Sequence, residues 1–175
     1  MTARYSAGLK GKKRTVSEEH RLLVFVPQPG VAYVSELPFT AESNGCGPVE
    51  RDLSNGERDS GDGNLLQIAG TRFYKGLGTH ASSSVSVRLD GGYKRFTTQV
   101  GVDDEVTGKG TVAFEVIADG KVMATTPLMT VGDRPATIGI DVTAVQDLTL
   151  RATDGGDGIS FDHADWANTR LVPTD

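Results

Sequence analysis

Three stretches of this 175-residue chain concentrate side chains able to do chemistry. The first, NGCGPVERDLSNGE (44–57), is a polar, glycine-rich segment offering Asn44, Glu50, Arg51 and Asp52. The second, YKGLGTHASSSV (74–85), places His80 just after two glycines that flank a leucine. The third, DGGDGISFDHADWANTRL (154–171), gathers Asp154, Asp157, Asp162 and Asp165 with His163 and the only tryptophan, Trp166. Carboxylates, amides, guanidinium and imidazole are the groups that pair with ligand hydroxyls, so Asn44, Glu50, Arg51, Asp52 and His80 form the candidate ligand-binding set. Hard cations take six to eight oxygens, and Asp103, Asp162 and Asp165 (with Asp104 nearby) are the expected donors for a structural Ca2+. The competing reading has Asp162 and Asp165 capping turns, and His80 tying its turn to a backbone carbonyl. Carboxylates with His80 or His163 also suit acid–base work or zinc. Yet the chain has no His-Glu-x-x-His string, no Cys/His ligand spacing, no Gly-x-Ser-x-Gly elbow, no phosphate loop and no dinucleotide fingerprint. Catalysis is therefore not expected.

Such groups need a rigid frame, and the rest of the chain reads as strands. Val85, Val87 and Leu89 alternate with polar residues, as do Phe96, Thr98, Val100 and Val102, then Val112, Phe114 and Val116. Period two is the mark of a half-buried strand. Asp119-Gly120 predicts a hairpin turn into 121–125. Ile138, Ile140 and Val142, then Leu148, Leu150 and Ala152, continue the pattern, and 166–172 closes it. Eight to ten short strands punctuated by 22 glycines predict an all-β fold, an antiparallel β-sandwich of jelly-roll type. Residues 1–30 read as a flexible basic leader with one edge strand at 22–26, residues 31–172 as the sandwich, and 173–175 as a tail. Trp166 beside Ala164 and Ala167 reads as core rather than as an exposed ring.

Net charge of −5 argues against a nucleic-acid partner. One cysteine, Cys46, permits no intrachain disulfide. The longest apolar run, 22–26, is far too short to cross a membrane. The basic N-terminal stretch runs into Ser17-Glu18-Glu19-His20 rather than an apolar segment, so it does not read as a signal peptide.

Six strings occur in order: YVSELPF (33–39), NG-x-GPVERD (44–52), KGLGTHA (75–81), VGVDDE (100–105), F-x-V-x-x-DGK (114–121) and DGGDGISFDHADWA (154–167). Together they resemble the NPCBM, or family 51, carbohydrate-binding modules. The resemblance implies a β-sandwich that binds galactose-type terminal sugars without catalysis, appended to a secreted glycoside hydrolase catalytic domain, hence extracellular. It departs at Cys46, where related modules carry Trp in the NG-W-G loop, and at Phe39, where many carry Trp. A sandwich that has lost its sugar site and binds a protein is the alternative; a hydrolase is a weaker one.

Overall fold

The computed structural model describes residues 26 and 28–174. Fourteen strands are found among them. They are β1 (Ala32–Tyr33), β2 (Phe39–Ser43), β3 (Glu50–Arg51), β4 (Gln67–Ile68), β5 (Thr71–Arg72), β6 (Gly76–His80), β7 (Ser83–Arg88), β8 (Tyr93–Val102), β9 (Thr111–Ala118), β10 (Lys121–Thr125), β11 (Met129–Thr130), β12 (Ala136–Asp141), β13 (Asp147–Thr153) and β14 (His163–Pro173). Five are two-residue bridges, leaving nine of five residues or more, in line with the eight to ten expected from alternation. One 3-10 turn, Val34–Glu36, follows β1. Of the expected leader (1–30) and its edge strand at 22–26, only Val26 and residues 28–30 are among the described residues, and none of these is in a strand.

Two six-stranded sheets form. One runs β12-β8-β14-β6-β3, with β1 also on β14; the other runs β10-β9-β13-β7-β2, with β11 also on β9. Every pairing is antiparallel. Alternation on β7 and β9 sends Val85, Val87, Val112, Phe114 and Val116 inward, where they meet Phe96, Leu148, Leu150 and Trp166 in one core. The Asp119-Gly120 turn has φ of 47° and 78°, the left-handed pair that a two-residue type I′ hairpin requires.

The outer face of the β14-containing sheet is covered as well. The β4–β5 hairpin lays Leu66, Ile68 and Phe73 on Ala167 as a second small core. Odd and even positions of β14 therefore meet different surroundings: Trp166 enters the main core, whereas its neighbour Asp165 points to the covered outer face.

Candidate functional site

β6 and β14 pair so that His80 lies directly opposite His163 at one end of the sheet, residues 83 positions apart in the chain. Their rings sit 5.1 Å apart, edge to face. His163 is gripped from both sides: Nε2 is 3.0 Å from Glu57 Oε1 and Nδ1 is 2.8 Å from Glu105 Oε1. Glu105 is held in turn by the Ser54 hydroxyl and the Asn64 amide, each donating to its Oε2 at 3.0 Å. Burial alone would lower the His163 pKa, but the two carboxylates outweigh it and raise it. His80 goes the other way, lowered chiefly by burial. Its Nδ1 lies 2.9 Å from the Ala81 carbonyl, so Nδ1–H donates there and Nε2 is left as an acceptor, 3.9 Å from Glu57 Oε1. Both imidazoles are nearly enclosed, while the Glu57 side chain is 50% exposed and opens the cluster to solvent. Glu57 also sits at φ 66°, a left-handed conformation rare outside glycine and found often at functional sites.

The loop over this cluster is tied down by the residues that the sequence singles out. Asn44 accepts the His80 backbone N–H at 2.7 Å and donates to the carbonyls of Cys46, Gly47 and Pro48. Glu50 is 2% exposed, and both its oxygens accept from the Gly61 N–H. Arg51 donates to the Ser35 and Leu37 carbonyls and lies 3.6 Å over the Phe39 ring. Asp52 pairs with Lys75 at 2.8 Å and accepts the Gly76 N–H. Of the five expected ligand-binding residues, then, His80 lies in the cluster and Asn44 supports it. Glu50 holds the Gly61 N–H of the following loop, Arg51 ties β3 to the Val34–Glu36 turn, and Asp52 ties it to the start of β6, each satisfying backbone groups that would otherwise be left unpaired.

Close approach of that loop to β6 depends on Gly78. A Cβ there would stand 2.3 Å from the Leu53 carbonyl oxygen and 2.5 Å from the Ser54 carbonyl carbon. Gly78→Ala is expected to push Ser54 outward, cost about 1–3 kcal/mol and loosen the Glu105–His163 contact. Thermal melting together with ligand titration would read both effects; a variant with unchanged melting and binding contradicts this account.

The three carboxylates expected to share calcium do not meet at one point. Asp103 and Asp165 adjoin beneath the β4–β5 hairpin, but Asp103 already accepts the Gln67 and Glu105 N–H groups, one on each oxygen. Asp165 is fully buried, with neither oxygen satisfied at hydrogen-bonding geometry. Burial first, then Asp103 beside it, lifts Asp165 well above the usual carboxylate range. Asp162 stands apart, accepting the Thr111 N–H, with Asp157 and Asp154 as its charged neighbours. These donors do not amount to a cage of six to eight oxygens.

Asp162 is pushed up from 3.8 to about 6, mostly by burial. The folded chain therefore holds this proton more tightly than the unfolded chain, so the group's stabilising contribution is fullest below 3.8 and is lost as pH rises through about 6. Asp162→Asn keeps an acceptor for Thr111. It is expected to melt increasingly above the parent as pH climbs through that window, read from paired melting curves; a constant offset would contradict the assignment.

Sequence reasoning passed over Glu57, Glu105 and the aromatic Phe161. Phe161 is 53% exposed at φ 69°, two residues before His163. Such a φ on a bulky residue was the available structural signal; nothing in the spacing announces it.

Antiparallel sheets packed face to face, with a polar cluster on adjoining strand ends, define a β-sandwich binding module. The NPCBM/NEW2 domain family matches residues 30–172, and the chain belongs to that family. It is a carbohydrate-binding module and not a catalytic domain. A Renibacterium salmoninarum protein named for endo-alpha-N-acetylgalactosaminidase activity is 34% identical over 150 residues, 84% of this chain but 10% of that protein's length. The CBM51 of Clostridium perfringens GH95, in complex with methyl-galactose, superposes with a TM-score of 0.73 at 32% identity, covering 81% of this chain and 99% of that one. CBM51-2 of Clostridium perfringens ZmpB, in complex with GlcNAc, gives 0.73 at 28%, covering 81% of this chain and 31% of that one.

Proposed function

We propose that the module reversibly binds a terminal galactose-type residue at the pole formed by Glu57, His80 and His163, and thereby holds an appended glycoside hydrolase on extracellular glycans. The observation that carries this reading is a solvent-open carboxylate flanked by two imidazoles of opposite character, all fixed on paired strands and a pinned loop. Glu57, held in place by His163, accepts from a hydroxyl, and the free Nε2 of His80 accepts from another. Phe161 offers an exposed ring to the C–H face of the sugar, the part an aromatic must play where Cys46 stands in the loop. The 32%-identical relative with methyl-galactose supports the sugar class.

Affinity is modest, because one monosaccharide buries little surface and its hydroxyls must shed water. Multivalent display compensates. Calorimetric titration with galactose, N-acetylgalactosamine, blood-group oligosaccharides and N-acetylglucosamine tests the proposal. Saturable heat with a galactose-configured ligand, and less with N-acetylglucosamine, is expected. Flat titrations from folded protein would overturn it in favour of a sandwich that binds protein.

A further inference from the structure

We propose that Glu57, His80 and His163 form a binding site for a divalent transition-metal ion of the zinc class. One ligand atom from each converges, all within 4.8 Å of one another. Glu57 Oε1 lies 3.0 Å from His163 Nε2 and 3.9 Å from His80 Nε2. Four-coordinate zinc, with bonds of about 2.0–2.1 Å, sets its ligand atoms roughly 3.4 Å apart. The observed spacing brackets that value without moving any strand.

What surrounds the ligands points the same way. A metal-binding histidine characteristically gives its second ring nitrogen to a carboxylate or a backbone carbonyl, which fixes the tautomer and aims the other nitrogen at the ion. Both arrangements are present here. His163 Nδ1 meets Glu105, itself held by Ser54 and Asn64, and His80 Nδ1 meets the Ala81 carbonyl. Both Nε2 atoms therefore face the same carboxylate. Two nitrogens and one oxygen suit zinc, cobalt or nickel; calcium, which wants oxygens throughout, is poorly served.

Charge also balances. On binding, the proton on His163 Nε2 passes to solvent, and the two positive charges of the ion meet the carboxylates of Glu57 and Glu105. The exposed flank of Glu57 leaves a fourth position open to water or to a ligand hydroxyl. A scan for short zinc motifs is blind to this set, since its members stand at positions 57, 80 and 163, with His80 and His163 joined by the β6–β14 pairing and Glu57 brought in by the loop between β3 and β4.

The inference shares atoms with the sugar reading but does not rest on it, because it is tested on sugar-free protein. Tag-free chain, stripped of metal, would be titrated with zinc ion by calorimetry and with cobalt ion by visible absorption. The expected result is one equivalent per chain, with the intense visible bands of four-coordinate cobalt. Glu57→Gln should weaken binding at least tenfold, and Glu105→Gln, which only orients His163, about tenfold. Because the Glu57 side chain is half exposed, Glu57→Gln should fold even where a histidine variant fails. Absence of saturable binding overturns the proposal. So does equal affinity in Glu57→Gln, which would mean an adventitious ion elsewhere. Flat sugar titrations alongside intact zinc binding would remove the sugar reading and leave this one standing.

Discussion

His80→Ala is expected to reduce affinity for a galactose-type ligand by roughly 5- to 150-fold. The side chain supplies the one imidazole nitrogen in the cluster that is left free to accept, and it is 3% exposed, so water cannot stand in for it. Leaving a ligand hydroxyl unpaired in an enclosed site costs about 1–3 kcal/mol, and roughly 1.4 kcal/mol is a factor of ten. The fold should survive. The His80 N–H still donates to Asn44 Oδ1, its carbonyl still accepts the Gly45 N–H, and the strand pairing with β14 is backbone-borne. Titration and circular-dichroism melting on the same preparation check both halves. Undiminished affinity in a folded variant removes His80 from the site. Should the variant unfold, Glu57→Gln carries the same test from a half-exposed position.

Trp166→Ala, by contrast, should act on the fold itself. Trp166 has no exposed surface and meets the Phe114 ring edge to face, centroids 5.1 Å apart at 88°. It joins the two sheets at the centre of the sandwich. Emptying such a site costs about 3–5 kcal/mol, a large share of the ~5–15 kcal/mol that holds a domain together. At roughly 2–4 °C per kcal/mol for a chain of this size, melting should drop by about 6–20 °C. Trp166→Phe keeps an aromatic body and removes an indole N–H that has no acceptor, so its loss should be much smaller. Calorimetric melting of both variants separates volume from polarity; equal losses would mean that the indole N–H, not the packing, sets the cost.

Alternation made the main core legible. Where every second residue is apolar and both neighbours are strands, as at Val85–Val87 and Val112–Val116, the pattern and the burial coincide. Trp166 was legible as core for the same reason, sitting between small residues on the inward face. The outer layer was not. Leu66, Ile68 and Phe73 cover the back of the sheet through a hairpin whose strands are two residues long, too short to display a period. Asp165 read as a calcium donor or a turn cap because carboxylates commonly serve as both; that hairpin is what buries it.

The site was half legible. His80 stood out because a lone histidine after tightly spaced glycines is unusual. Its partners come from strands and loops whose pairing no local pattern encodes: Glu57 from a loop, Glu105 from the turn after β8, His163 from the start of β14. Glu50, Arg51 and Asp52 looked like ligand groups for a chemical reason. The acceptors that bind a sugar hydroxyl are the same ones that satisfy a loop's own amides, and sequence does not say which demand is met first.

The pairing of Ala32 with Leu171 has a consequence for how the module works on a tether. Chain enters and leaves the sandwich side by side, while His163 marks the far tip of the same strand. Eight residues of extended chain separate them, about 25 Å. A partner domain joined next to Ala32 or Leu171 would sit at the base, with the His163 end of β14 at the opposite end of the strand. Surface immobilisation close to Ala32 or to Leu171 should present the same His163 end of the sheet.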